Sequence, residues 1–186
     1  MKPKTSLGGK ILVISVAQFW IFMLLSEELY KGYNLNQNYI SDLGVGSTAI
    51  IFNSSIVLMG ILIILSGLLF SSKILSSFLI IGAIGMIGVG VFPETTGTPH
   101  LISALLAFLF SSLASFPAFK MINSNLRYLF PILGVISLIS LVFFIFHDYG
   151  PIGPGGVERF IVLPDIVWAI SFGSIMGSKN ETQTTP

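Results

Sequence analysis

The sequence contains no cysteine and few charged residues. Without cysteine the protein has no disulfide bond, no thiolate nucleophile and no cysteine-ligated metal site. Only 9% of its 186 residues are charged and 53% are hydrophobic, whereas about a quarter of the residues in a soluble domain are charged. The formal net charge is only +1, so there is no basic excess with which to bind nucleic acid. The composition therefore predicts a membrane protein and argues against a nucleic-acid partner.

Long uncharged apolar runs divide the chain. A helix needs about 20 apolar residues to cross a bilayer. The runs that meet this condition lie at about 9–28, 48–70, 74–92, 100–119, 128–147 and 158–177. No interval between them is long enough for a soluble domain, and backbone in lipid must satisfy its own hydrogen bonds. We therefore predict an all-α polytopic membrane protein, in which residues 1–186 form a single bundle of six transmembrane helices.

Charged residues are distributed unequally between the two ends of this predicted bundle. An even number of spans places both termini on one side of the membrane. Of the nine basic residues, only Lys31 and Arg159 fall on the opposite side, so the positive-inside rule predicts a multi-pass protein of the cell membrane with cytoplasmic N- and C-termini. Of the eight acidic residues, only Glu181 falls on the cytoplasmic side, and both histidines lie on the outer side. We therefore expect the function to reside at the extracytoplasmic face.

The last predicted span carries two acidic residues at helical spacing. Glu158 and Asp165 are seven residues apart, which places both on one face of a helix with a rise of about 10 Å between them. A charged side chain at depth costs about 2.5–3.5 kcal/mol on insertion scales. Asp165 should therefore face the interior of the bundle and find a polar partner. Arg159 points to another face, where we expect it to pair with another loop or to bind an anionic headgroup.

The two histidines are predicted at opposite kinds of helix end. His100 follows Thr98-Pro99, a typical cap and first-turn pair, and the helix dipole there favours a neutral imidazole that can act as a base. His147 ends the fifth span, where the dipole favours the cation, and Asp148 follows it directly. We predict that His147 and Asp148 belong to the outer polar cluster.

Acidic residues in two other outer loops complete the set of candidates. Asp42 lies in NYISDLG, and Glu94 lies in FPETTGTPH. For a catalytic site the candidates are His100, Asp42, Glu94, Glu158 and Asp165. Imidazole and carboxylate ligands also suit a divalent metal, for which His100, Glu94 and Glu158 are the candidates. A haem is not expected, because the sequence has no attachment motif.

The same loops resemble a known family. The segments NYISDLG, IFN at 51–53, GVGVFPETTGTPH at 88–100 and GPGGVER, with the later Trp168, are similar to the archaeal and bacterial six-span membrane family called domain of unknown function 998 (DUF998). That family is remotely similar to DRAM-like and Frag-like membrane proteins. The resemblance covers nearly the whole chain and implies a six-span fold, but it brings no established reaction. It implies that the polar motif of the family corresponds to Asp42, Asn53, Glu94, His100, Glu158 and Arg159. We take Asn53 and Arg159 from this motif as candidates for substrate binding.

Three functions remain open at this point. The first is a structural, lipid-binding or complex-assembly role, with membrane lipid or other membrane proteins as partners. An alternative is an outer-face hydrolase or transferase that acts on a lipid or lipid-linked substrate, with or without a metal. A second alternative is a small proton-coupled transporter, in which the acidic face of the last span would carry protons.

Overall fold

The computed structural model describes residues 3–178. Six long α-helices account for most of this range: α1 Pro3–Leu29, α2 Ala49–Leu69, α3 Lys73–Val91, α4 Thr98–Phe119, α5 Leu129–Ile145 and α6 Gly153–Ser178. Short 3-10 helices interrupt four of the connections. All six α-helices are long and apolar enough to cross a membrane. The prediction of six apolar helices is therefore confirmed.

Three predicted details of the helix ends are wrong. The first helix begins at Pro3 instead of residue 9, and the last begins at Gly153 instead of residue 158. Gly153, the first residue of α6, has a φ of 71°, a conformation that glycine adopts readily. Glu158 consequently lies more than one turn inside α6. In α4 the cap is Gly97, with a φ of 69°, and Thr98 is already helical.

The helices form a closed ring in sequence order. Each one packs against its neighbours in the sequence, α6 returns to pack against α1, and α6 also contacts α4. The Ser6 hydroxyl donates a hydrogen bond to the Gly177 carbonyl at 2.7 Å, so the described ends of α1 and α6 lie together. A Cβ atom at Gly9 would lie only 2.6 Å from the Gly173 carbonyl oxygen. Glycine at this position therefore permits the close contact that joins the two helices.

The two ends of the ring differ in composition. The basic end contains the start of α1, the end of α6 and the two turns that follow α2 and α4, with Lys73, Lys120 and Arg127. The polar end contains segments 30–48, 92–97 and 146–152. Large apolar side chains fill the ring below the polar end, and Phe52, Trp168 and Phe172 are almost completely buried. The loops of the polar end therefore cover one end of an apolar interior.

Candidate functional site

Segment 30–48 crosses the polar end and is fastened to α6 by Arg159. The Nη2 atom of Arg159 donates to Glu27 Oε1 at 2.6 Å and to the Tyr33 hydroxyl at 2.9 Å. Its Nη1 atom donates to the carbonyls of Leu35 and Gly155, both at 2.9 Å. Both terminal nitrogens of the guanidinium are therefore occupied. We call Arg159, Glu27 and Tyr33 the arginine latch.

The same segment supplies the partner of Glu158. The Glu158 side chain is 3% exposed, and its Oε2 atom accepts a hydrogen bond from the backbone N–H of Ile40 at 2.5 Å. Nearby, the Gly155 N–H donates to the Asn36 carbonyl at 3.0 Å. A Cβ atom at Gly155 would collide with the Asn38 carbonyl oxygen. Because the loop backbone lies directly on α6, it fixes the position of the Glu158 carboxylate.

Asp42 and Glu94 form a carboxyl pair between two loops. Asp42 Oδ2 accepts hydrogen bonds from Asn38 Nδ2 at 2.8 Å and from the Tyr39 N–H at 3.0 Å. Glu94 Oε2 accepts one from the Ser41 hydroxyl at 3.2 Å. Burial raises the pKa of Glu94 to about 7, and the hydrogen bond and charge of Asp42 add to the rise. Glu94 therefore gains or loses a proton near neutral pH.

His100 is held in one tautomer at the start of α4. The ring is 5% exposed, and its Nδ1 atom lies 2.8 Å from the Phe92 carbonyl oxygen. A carbonyl can only accept, so Nδ1 must carry the hydrogen, and in the neutral ring Nε2 is left as an acceptor. This arrangement orients the second nitrogen of a buried imidazole.

Two cavities meet at these side chains. A narrow cavity of about 90 Å³ extends through the interior of the ring between α1, α2, α3, α4 and α6. A larger one of about 510 Å³ lies between the polar-end halves of α4 and α5; we call it the α4–α5 cleft. The residues that line both cavities are Ser41, His100, Ala104, Phe108 and Glu158. Leu105 and Ile145 line the cleft and are 44% and 51% exposed. The cleft therefore opens sideways on the apolar surface of the bundle.

Aromatic rings line the cleft near its polar end. Tyr39, Phe144 and Tyr149 contact one another edge to face, with ring centres 5.5 to 6.4 Å apart. The hydroxyls of Tyr39 and Tyr149 share a hydrogen bond of 2.8 Å. Burial raises the pKa of Tyr39 above its ordinary value, as does the hydrogen bond with Tyr149, so this phenol stays neutral. We call Tyr39, Phe144 and Tyr149 the aromatic group.

Asp165 lies deeper in the ring and finds the polar partners that its position predicts. Its Oδ2 atom accepts from the Ser112 hydroxyl at 3.0 Å, and its Oδ1 atom accepts from Trp168 Nε1 at 3.1 Å. The Ser112 hydroxyl oxygen also lies 2.6 Å from that of Ser137, which lies 2.9 Å from the Ile161 carbonyl oxygen, so these contacts share the two hydroxyl hydrogens. These bonds connect α4, α5 and α6. Asp165 also lines the narrow cavity.

The structure brings some of the predicted site residues together and separates others. Glu94, His100, His147 and Glu158 line the α4–α5 cleft. Asp148 is exposed and does not line it. Within residues 3–178 no three His, Asp or Glu side chains form a group that could hold a metal ion. The metal candidates His100, Glu94 and Glu158 therefore share a cleft without forming a ligand set.

The two candidates for substrate binding lie outside both cavities. Arg159 is occupied by the arginine latch and lines neither cavity. The Nδ2 atom of Asn53 donates to the Gly44 carbonyl at 3.0 Å, and its Oδ1 atom is buried without a hydrogen-bond partner among the described residues. Both side chains hold segment 30–48 or its end against the helices. Neither side chain therefore contributes to the α4–α5 cleft or to the narrow cavity.

Sequence reasoning missed several residues of the site. Ser41, Tyr39 and Tyr149 line the cleft, and Glu27 completes the arginine latch. Tyr39 and Ser41 lie close to Asp42 in the NYISDLG segment, so their closeness to a candidate residue could have pointed to them. Nothing in the sequence pairs Glu27 with Arg159, which is 132 positions away.

The fold and the site together define an integral membrane protein with a polar-ended cleft between two of its six helices. The chain matches the family model of DUF998, described as a protein of unknown function, over residues 13–175. It therefore belongs to the DUF998 family, as the resemblance predicted. No curated protein and no solved structure matches the chain. Because the family description assigns no activity, the geometry of the site has to indicate the function.

Proposed function

We propose that this protein binds a membrane lipid in the α4–α5 cleft. The cleft itself carries the proposal, because its volume of about 510 Å³ falls within the roughly 300–1,000 Å³ of typical small-molecule sites. The walls that α4 and α5 contribute are largely apolar, and Glu94, His100 and Glu158 add polar groups to the lining; we call these three residues the inner end of the cleft. Such a space accepts a molecule with an apolar tail and a polar head. Leu105 and Ile145 leave it open to the bilayer, so the lipid enters sideways.

Two unpaired acceptor atoms on side chains that line the cleft support a polar head. Among the described residues, Glu158 Oε1 and His100 Nε2 have no hydrogen-bond donor, although both side chains are more than nine-tenths buried. A headgroup that donates hydrogen bonds supplies the missing partners, and an apolar tail alone does not. The ligand we propose is therefore amphiphilic.

We further infer that the polar end faces the extracytoplasmic side. The described ends of α1 and α6 lie at the basic end with Lys73, Lys120 and Arg127. The positive-inside rule assigns such an end to the cytoplasm, and both chain termini are assigned with it. The lipid then enters from the outer leaflet.

Filling the cleft with a larger side chain tests the lipid-binding proposal. Ala104 lines both cavities, so Ala104→Trp should lower the affinity for a lipid with a fluorescent acyl chain by at least about tenfold and remove co-purified lipid from native mass spectra. Ile102 is on the same helix, is 57% exposed and lines neither cavity. Ile102→Trp is therefore the matched control and should bind as the wild type does.

Folding has to be checked in the same preparations. A melting temperature within a few degrees of the wild type shows that Ala104→Trp folds, and Ala104→Leu offers a smaller obstruction if it does not. Unchanged lipid binding by a folded Ala104→Trp variant would reject the proposal. Added lipid should also stabilise the wild type, by about 2.7 kcal/mol at a concentration one hundred times the dissociation constant.

One observation favours a second candidate function, that of a lipid hydrolase or transferase. His100 presents a fixed acceptor nitrogen, and it lines the same cavities as Ser41 and Glu158. A base, a hydroxyl and a carboxyl group that line one cavity are the residue types of nucleophilic catalysis, although the Ser41 hydroxyl here donates to Glu94. If the bound lipid is a substrate, wild-type protein in vesicles should convert it, and His100→Ala should lose far more of the conversion than of the binding affinity. Absence of any product from the wild type would leave binding as the function.

A further inference from the structure

We propose that the lipid in the α4–α5 cleft carries an ammonium group in its head. This inference rests on the proposed lipid binding and names the chemical class of the ligand. Three features of the cleft lead to it: the sign of its charge, the aromatic group, and the hydrogen-bond acceptors at its inner end.

The ionisable residues that line the cleft are acids, histidines and tyrosines. Glu94 and Glu158 contribute carboxyl groups, and no Lys or Arg lines the cleft in the part of the chain that the structure describes. Arg159 directly follows Glu158 in the sequence, but its guanidinium is held outside the cleft by Glu27 and Tyr33. A cavity lined by one sign of charge attracts ligands of the opposite sign. Among the described residues an anionic headgroup would meet two acidic side chains and no Lys or Arg.

The aromatic group gives the same cleft a surface for a cation. Faces of Tyr and Phe rings attract ammonium groups, and clusters of such rings are the usual receptors for them. Tyr39, Phe144 and Tyr149 all line the cleft, as do Glu94 and Glu158. The contacts between the rings hold them in place before a ligand arrives. Aromatic rings and acidic side chains that line one cleft favour an ammonium group over an uncharged polar head.

The free acceptors add a preference within this class. Among the described residues, Glu158 Oε1 and His100 Nε2 lack donors, and a primary ammonium group carries three N–H bonds to offer. A trimethylammonium group fits the rings but donates no hydrogen bond. We therefore expect primary ammonium lipids to bind more tightly than trimethylammonium lipids, and both to bind more tightly than anionic lipids.

Lipids that share dioleoyl chains and differ in their heads test this inference. The set is phosphatidylethanolamine, phosphatidylcholine, phosphatidylglycerol and the uncharged diacylglycerol, each offered in competition with the fluorescent lipid to the full chain in detergent. The two ammonium lipids should compete at least about tenfold better than phosphatidylglycerol. Equal competition by phosphatidylglycerol would overturn the ammonium assignment and leave lipid binding intact. If no lipid competes and Ala104→Trp changes nothing, lipid binding itself fails.

A pair of aromatic substitutions separates recognition from packing. Tyr149→Leu should weaken the ammonium lipids roughly five- to thirtyfold, the range expected from a lost cation–π contact, and leave diacylglycerol unaffected. Phe146 is three positions earlier, is 77% exposed and does not line the cleft. Phe146→Leu should bind all four lipids as the wild type does. Equal weakening of diacylglycerol and the ammonium lipids by Tyr149→Leu would contradict the proposed cation recognition.

Discussion

Removing the Glu27 carboxylate should destabilise the protein by about 3 kcal/mol. Glu27 and Arg159 are joined at 2.6 Å and are each 12% exposed. Removing one partner of a buried ion pair costs about 3–5 kcal/mol, because the remaining charge is left uncompensated. The lower end of this range applies to Glu27→Ala, since the Tyr33 hydroxyl and the carbonyls of Leu35 and Gly155 still accept from the guanidinium.

The measurement is thermal unfolding of the purified protein in detergent, followed by circular dichroism. For a chain of about this length, each kcal/mol lowers the melting temperature by about 2–4 °C, so Glu27→Ala should melt roughly 6–12 °C below the wild type. The melting temperature of Glu27→Gln should lie between those of Glu27→Ala and the wild type, because the amide keeps a hydrogen-bond acceptor and loses the charge. Arg159→Lys should also destabilise, since one ammonium cannot reproduce the two-pronged geometry of the guanidinium.

Glu28, the residue after Glu27, provides the control for the loss of a negative charge. Glu28 is exposed at the same end of α1, and Glu28→Ala removes the same charge from the chain without touching the latch. Its melting temperature should stay within about 2 °C of the wild type. Equal melting temperatures for Glu27→Ala and Glu28→Ala would refute the reasoning, because they would show that the arginine latch contributes nothing measurable to stability.

Three further predictions concern the cleft, the buried serines and the orientation. Ammonium lipids should bind more tightly at pH 8 than at pH 6, because burial and Asp42 raise the pKa of Glu94 to about 7 and its negative charge forms in this interval. Glu94→Gln should remove the dependence of the affinity on pH. An unaltered pH dependence in this variant would exclude Glu94 as its cause. The other ionisable groups that line the cleft or pair with Glu94 are Asp42, Glu158, His100, His147, Tyr39 and Tyr149. Ser137→Ala should lower the free energy of unfolding by about 0.6–1.7 kcal/mol, because it breaks hydrogen bonds to α4 and α6. Ser140→Ala affects only a bond within α5 and should melt at a higher temperature than Ser137→Ala. Equal melting temperatures would contradict the interhelical role of Ser137. In the cysteine-free chain, an impermeant maleimide on intact cells should label Gln37→Cys and spare Asn123→Cys, and the reverse pattern would overturn the proposed orientation.

The apolar helices could be predicted closely because the bilayer sets both their length and their composition. The predicted span 48–70 corresponds to Ala49–Leu69, and 74–92 corresponds to Lys73–Val91. The start of α6 was missed for a physical reason. Glycine and proline have low helix propensity, so GPGGVER reads as a turn, yet this segment is helical where the loop backbone packs on it. Tertiary contact overrides local preference at this point.

The candidate site could be predicted only in part. Hydropathy and spacing place Glu158 and Asp165 on one helical face, and both line the narrow cavity in the structure. Whether Arg159 faces a ligand or another residue depends on Glu27, which is distant in sequence and has no local pattern to reveal it. Ser112 and Ser137 look like any other serine in a membrane helix. Their importance comes from the order of helices around the ring, which periodicity does not determine.

The closed ring has a consequence for the biosynthesis of the protein. The helix that completes the ring is the last to leave the ribosome, and it carries Glu158, Arg159 and Asp165. Their partners lie on α1, segment 30–48 and α4, which have all been made by then. A nascent chain that lacks α6 has neither the latch nor a finished cleft. The proposed lipid site is therefore formed only after α6 has joined the other helices, so retained lipid would mark molecules in which the ring has closed.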